Sequence, residues 1–112
     1  MKLLQENSYA LVCFDREEFE LSDITTVFAE LDTLNCGAIL DFRETLNDFS
    51  RTESLLIALK LQELDRLRFH KIGLIANGNG RGIRQIAQYA RGRGLSVQTF
   101  DQLDAAASWI QD

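Results

Sequence analysis

The chain has 112 residues, of which 46% are hydrophobic and 26% are charged, and its formal net charge is −5. This composition is typical of one globular domain that spans the whole chain, and it argues against a disordered protein. No apolar run reaches the roughly 18 residues that a membrane-spanning helix needs, so we expect no integral membrane association. The N-terminal segment becomes polar after too few residues for a secretory signal, so we expect a cytoplasmic protein. We expect its two cysteines, Cys13 and Cys36, to be reduced.

The first part of the chain predicts a strand, a helix and a second strand. Residues 8–14 form a β-rich run of strand length, and residues 2–5 are placed to pair with it as a hairpin. Ser22 is a candidate N-cap for the amphipathic helix that follows. The core-facing stripe of this helix consists of Ile24, Val27, Phe28, Leu31 and Leu34. Residues 37–42 are apolar almost throughout, which is typical of an interior strand with both faces covered.

The middle of the chain predicts a second helix and a third strand. Ser50-Arg51-Thr52-Glu53 matches a capping box, in which the serine and the glutamate each accept a backbone N–H. We expect the helix that starts there to run to about Phe69. Its core residues are Ile57, Leu61, Leu64 and Leu67. Residues 71–76 form the next strand and are again mostly apolar.

The last third of the chain predicts a helix, a strand and a final helix. The first helix buries Ile83, Ile86, Ala87 and Ala90, and Gly92 or Gly94 ends it. Residues 95–100 form the strand, and Asp101 is placed to cap the final helix. That helix points Leu103, Ala106, Ala107 and Ile110 inward. This alternation predicts an α/β fold with a single mixed or mostly parallel sheet.

Charge is distributed unevenly along the chain. Residues 1–50 hold eleven acidic and three basic residues, whereas residues 51–112 hold six acidic and nine basic residues. The simpler interpretation is that acidic and basic faces of one domain, or of two subunits, neutralise each other. The alternative is an anion-binding face. A pI near 4.8 argues against a dedicated nucleic-acid-binding protein, so we expect no nucleic-acid partner.

Three segments resemble the STAS-like, or SpoIIAA-like, family. They are the strand ending Leu40-Asp41-Phe42, the helix-to-strand passage 69–75, and segment 97–110, where a strand ending Phe-Asp precedes an alanine-rich helix that closes on Trp and Ile. The resemblance covers nearly the whole chain. It implies a non-enzymatic binding domain whose partners are proteins or, in some relatives, lipids and other apolar ligands.

Classical members of that family carry an Asp-Ser-Ser-Gly-like turn at the start of the helix after the second long strand, where a kinase phosphorylates serine. This chain departs from that turn, because it has Ser50-Arg51-Thr52-Glu53-Ser54 with no following glycine. Ser50, Thr52 and Ser54 remain candidate phosphosites. Capping of the helix is the simpler role for Ser50.

The segment Asn77-Gly78-Asn79-Gly80-Arg81-Gly82 is a candidate anion-binding loop. A glycine loop before a helix points backbone N–H groups at an anion, and the helix dipole favours negative charge there. Arg81 and Arg84 could add forked donors to a phosphate or carboxylate. Neither nucleotide-binding glycine signature is matched. The simpler interpretation is a tight turn that needs positive φ, with Asn77 or Asn79 capping the helix.

Two leucines of the second helix do not belong to its core stripe. Leu55 and Leu59 fall nearly opposite that stripe on a helical wheel, beside Gln62 and Arg66. Excess apolar surface of this kind marks a candidate contact with a protein partner or a second subunit. Scattered exposed leucines are also common in globular proteins, so both interpretations stay open.

The sequence predicts no catalytic constellation, no cofactor and no metal site. His70 is the sole histidine and the cysteines are distant, so the usual zinc ligands cannot be assembled. We expect a non-enzymatic regulatory or protein-interaction domain, and a homodimer is one form of that interaction. The alternative is a module that holds a small anionic or lipid-like ligand at residues 78–84. An enzyme built on Asp41, Arg43 and His70 is least favoured.

Overall fold

Five strands form one sheet in which the spatial order is the order along the chain. The computed structural model describes residues 2–5, 9–14, 21–44, 49–76 and 80–111. The strands are β1 (Lys2–Gln5), β2 (Tyr9–Cys13), β3 (Gly37–Asp41), β4 (Ile72–Ile75) and β5 (Val97–Phe100). Strands β2 to β5 are parallel, and β1 pairs antiparallel with β2 at one edge. The predicted α/β fold with a mostly parallel sheet and an N-terminal hairpin is confirmed.

A helix follows each of the four parallel strands. These helices are α1 (Leu21–Asp32), α2 (Arg51–Glu63), α3 (Arg81–Gly92) and α4 (Leu103–Gln111), and a short 3₁₀ turn covers Leu67–Phe69. Helices α1, α2 and α3 pack against one face of the sheet and form what we call the helix layer. Helix α4 packs against the opposite face over β3, β4 and β5.

The apolar stripes predicted for the helices are the surfaces that pack on the sheet. On the helix-layer side the predicted core residues are buried except Leu34 and Leu64, which are partly buried at its rim. On the other side Ala106 is fully buried, and Leu103, Ala107 and Ile110 pack around it. Every residue of β3 is buried, as predicted for an interior strand with both faces covered.

Three predicted helix boundaries are wrong. Helix α1 already includes Leu21, so Ser22 lies inside it and does not cap it. Helix α4 begins at Leu103, two residues after Asp101, so Asp101 does not directly precede the helix. Helix α2 ends at Glu63 and not near Phe69, because Leu64 takes an extended conformation with φ −75° and ψ 139°.

The early end of α2 is fixed by a residue from α1. The Asp32 carboxylate accepts the backbone N–H groups of Arg66 and Leu67 through Oδ1, at 2.8 and 2.9 Å. These hydrogen bonds lower the pKa of Asp32, and the bond from Leu67 contributes most. Since the carboxylate takes up N–H groups that a longer helix would use internally, the segment after Glu63 turns instead of continuing α2.

The capping box at the start of α2 and the glycine that ends α3 are both as predicted from the sequence. The capping box at the start of α2 is present, because Ser50 Oγ accepts from Glu53 N at 3.1 Å and Glu53 Oε1 accepts from Ser50 N at 2.9 Å. At the end of α3, Gly94 has φ +89° and the N–H of Leu95 donates to the carbonyl of Ala90. This is a Schellman motif, in which glycine adopts the left-handed conformation at low cost.

We predict opposite effects for alanine at Gly37 and at Gly92. A Cβ at Gly37 would lie 2.8 Å from the backbone oxygen of Lys71, and a Cβ at Gly92 would meet nothing within 4 Å. Because a backbone oxygen cannot move aside freely, Gly37→Ala should lower the free energy of unfolding by about 1–3 kcal/mol. Gly92→Ala is the matched control, and it should leave stability unchanged or raise it by less than about 1 kcal/mol. Urea denaturation measures both, and equal stabilities would contradict this packing of β3.

Candidate functional site

The carboxyl ends of the parallel strands are the usual place for a ligand in an open α/β sheet. Asp41 ends β3 there, and Arg43 folds back over it. Asp41 Oδ1 accepts from the backbone N and the Nε of Arg43, both at 3.0 Å, and Oδ2 accepts from Nη2 at 2.8 Å. These hydrogen bonds raise the pKa of Arg43. Asp41 is only 7% exposed, so this pair covers the end of β3.

Aromatic rings fill the space beside this ion pair on the helix-layer side. The ring of Phe42 stacks on Phe14 with centroids 4.6 Å apart. Phe49 meets the edge of Phe42 with centroids 5.6 Å apart. Phe14 and Phe42 are buried. In the described part of this end of the sheet, the Asp41–Arg43 pair therefore lies over packed aromatic rings.

The predicted anion-binding loop is described from Gly80 onward, and Asn77, Gly78 and Asn79 lie outside the described residues. Gly80 is the N-cap of α3, and as a glycine it has no side chain with which to cap the helix itself. Arg81 and Arg84 are exposed in its first turn. Gly80 has φ −76°, so this glycine is not required for a positive φ.

Gly82 has a structural role that its place in a glycine loop did not predict. It is buried in the first turn of α3, and its carbonyl accepts the Ser54 hydroxyl of α2 at 3.0 Å. A residue without a side chain lets the two helices approach at this point. Gly82 therefore contributes to the joint between α2 and α3.

The three candidate phosphosites differ in accessibility. Thr52 is exposed. Ser50 is exposed too, but its hydroxyl is engaged in the capping box. Ser54 is fully buried and donates to Gly82, so a kinase could not reach it without unfolding α2 from α3. Ser54 shares the face of Ile57 and Leu61 at helical spacing, which is the signal in the sequence that could have indicated its burial.

The outer side of α2 carries three leucines, which we call the leucine surface: Leu55, Leu56 and Leu59. Leu55 is 37% exposed and Leu56 is 40% exposed, while Leu59 is partly buried. Leu56 was missed from the sequence, because the predicted core stripe places it close to Leu67 on the helical wheel and not beside Leu55. Leu55 and Leu59 were predicted as interface residues, and that role stays a prediction.

The amino ends of the strands hold the histidine and an exposed ring. His70 Nε2 lies 3.1 Å from Asn35 Oδ1, which follows α1, so His70 is at the opposite end of the sheet from Asp41 and Arg43. Phe69 is 75% exposed, and the guanidinium of Arg68 lies 4.8 Å from its ring centroid. The exposure of Phe69 was not predicted from the sequence.

Among the described residues, no group of three or more His, Cys, Asp or Glu side chains is placed to hold a metal ion. Cys13 and Cys36 form no disulfide bond, and burial raises the pKa of Cys36. None of the described helices combines the length and the apolar character needed to cross a membrane.

Comparisons with protein-family models, with curated proteins and with solved structures find no match to this chain.

We predict that Arg43 is required for stability because it neutralises Asp41. Arg43→Met leaves a carboxylate that is 7% exposed without its cation, and it should lower the free energy of unfolding by about 1–3 kcal/mol at neutral pH. Adding Asp41→Asn should recover part of that loss, because the amide carries no charge. Chemical denaturation of both single variants and the double variant measures the coupling.

Lys60→Met is the matched control for this experiment. It breaks the exposed pair between Lys60 and Glu63, whose charged atoms are 3.8 Å apart, and it should cost less than about 0.5 kcal/mol. A loss for Arg43→Met no larger than for Lys60→Met would contradict the proposed role of the Asp41–Arg43 pair.

Proposed function

We propose that this chain is a STAS-like, non-enzymatic protein-interaction domain, and that it binds its partner through the outer face of the helix layer. The alternation of strands and helices, with strands arranged in chain order, supports the resemblance in layout. Two cysteines that form no disulfide bond fit a reducing compartment, and we include a cytoplasmic setting in the proposal.

The observation that carries this proposal is the leucine surface. Among the described residues of the helix layer, Leu55 and Leu56 are the two large apolar side chains that are exposed to solvent. They are consecutive, and Leu59 follows one turn after Leu55 on the same helix. Exposed apolar side chains that form one patch, unlike single scattered ones, are typical of a surface that a partner covers.

The surroundings of the leucine surface fit a protein interface. Arg51 and Gln62 lie on α2 at the two ends of the patch. On α3, which packs beside α2, Gln85 and Tyr89 are partly buried and Arg81 is exposed. Apolar centres ringed by polar residues, with tyrosine and arginine enriched, are the usual composition of protein–protein interfaces.

A second candidate function is the binding of a small anionic ligand at the start of α3. It is favoured by the first turn of α3, where Arg81 and Arg84 lie and where the helix dipole favours negative charge. At the start of α2, by contrast, the capping box takes up the N–H groups of Ser50 and Glu53.

The ligand hypothesis predicts that millimolar inorganic phosphate shifts the amide resonances of residues 80–84 and leaves those of residues 51–54 unchanged. Arg81→Gln should weaken the effect, because it removes one cation from the site. An absence of any shift at residues 80–84 would eliminate this candidate.

The proposed function predicts that glutamate on the leucine surface abolishes partner binding. The Leu55→Glu/Leu56→Glu variant should keep the fold, because both side chains are exposed. A partner captured by the wild-type domain from cells that express it should be reduced about tenfold or more, as expected when central interface contacts are lost. Quantitative mass spectrometry of the captured proteins measures the loss.

Ser108→Glu is the control, since it adds one glutamate at an exposed position of α4 on the other side of the sheet. It should retain the partner. Equal capture by the wild-type chain, the control and the leucine variant would refute the assignment of binding to the helix layer.

A further inference from the structure

Formal charge changes sign across the helix layer. Helix α1 contains three acidic residues and no basic residue, namely Asp23, Glu30 and Asp32. Helix α2 contains two of each sign, namely Arg51, Lys60, Glu53 and Glu63. Helix α3 contains three arginines and no acidic residue, namely Arg81, Arg84 and Arg91. Because α2 contacts both neighbours, the layer presents an acidic helix, a neutral helix with exposed leucines, and a basic helix, in that order.

The three helices of the layer run in the same direction and end at the same level. At the start of α2 and α3, the Ser54 hydroxyl meets the Gly82 carbonyl. At their other end, Arg93 Nη1 donates to Gln62 Oε1 at 3.1 Å. At the end of α1, Asp32 accepts N–H groups from the residues just after α2. The last turns of α1, α2 and α3 therefore lie side by side.

We propose that the helix layer binds the helix layer of a second copy of this chain, in a twofold dimer whose axis runs parallel to α2. This rests on the proposed function and names its partner. A rotation about that axis places α2 on α2 of the second copy, and α3 on α1 of the second copy. Each basic helix then faces an acidic helix on both sides of the centre. Such an interface is self-complementary, as a closed dimer requires.

The charge order disfavours stacking of the two layers about an axis perpendicular to α2. A twofold axis in the interface but perpendicular to α2 would place α1 on α1 and α3 on α3. Helix α1, with its formal charge of −3, would then face a second α1, and α3, with its three arginines, would face a second α3. Like charges brought together across an interface disfavour that arrangement.

The leucine surface occupies the centre of the dimer with the parallel axis. Leu55 and Leu56 of each copy cover those of the other, so the exposed apolar patch of the helix layer is buried. Rotation about an axis parallel to the helices does not shift them along their length. The last turns of α1 and α3 therefore meet, and Glu30 of one copy lies opposite Arg91 of the other. Both residues are exposed in the single chain.

Two charge reversals test this arrangement by mixing. Glu30→Arg places arginine opposite Arg91 twice in its own dimer, and Arg91→Glu places glutamate opposite Glu30 twice. Each variant alone should dimerise about tenfold or more weakly than the wild type. In an equimolar mixture, the heterodimer has one reversed pair and one original pair, both of opposite charge, so association should return. Sedimentation velocity at low ionic strength measures all three samples.

Controls keep each outcome interpretable. Leu55→Glu/Leu56→Glu should be monomeric, and Ser108→Glu should dimerise like the wild type. Because Arg91 Nη1 also donates to the Val97 carbonyl at 3.2 Å, thermal melting must show that Arg91→Glu is folded. If it is not folded, Glu30→Arg decides alone, and unchanged dimerisation of Glu30→Arg overturns the proposed pairing.

Two further results would overturn the proposed dimer but would not by themselves refute the proposed function. A mixture that fails to associate, when the wild type dimerises, excludes the parallel axis. A wild-type chain that stays monomeric up to about 100 μM excludes self-recognition at any useful affinity. In that second case, loss of a different captured protein by the leucine variant would still support the helix layer as a binding surface.

Discussion

Strands β3 and β4 are buried on both faces, and covering them determines how the remaining elements are placed. Ile39 and Ile75 on one face and Leu40 and Leu74 on the other are all essentially inaccessible to water. Parallel strands of this kind need helices on both sides of the sheet. On the described second face, α4 provides that cover, and it approaches closely because Gly73 and Ala106 are small. A Cβ at Gly73 would already lie 3.5 Å from the Cβ of Ala106.

With α4 on one face, the other three helices share the opposite face and α2 takes the middle place. Its inner side is fixed by the core residues and by the hydrogen bond from Ser54 to Gly82. The outer side of α2 does not pack on the described part of the sheet, yet it carries the exposed side chains of Leu55 and Leu56. The proposed interaction surface therefore depends on the central position of α2 as well as on its leucines. A partner with a flat surface can cover leucines in the centre of a layer more completely than leucines at its edge.

Local patterns predicted the parts of this fold that depend on residues close in sequence. The stripe of Ile83 and Ile86 and the capping box at Ser50 needed only helical spacing and hydrogen-bonding side chains. The end of α2 could not be predicted in this way, because it depends on Asp32, more than thirty residues earlier. The burial of Gly82 against Ser54 likewise follows from how two helices meet. The grouping of charge by helix was visible in the sequence, but its order across a surface required the topology.

Amide hydrogen exchange of the wild-type chain over a dilution series tests the central claim that this protein binds a second copy of itself through the helix layer. Slower exchange at high concentration in α2, with smaller effects in α1 and α3 and none in α4, is the predicted result. Protection that is confined to α4, or exchange that does not change with concentration in any helix, would contradict self-association through the helix layer.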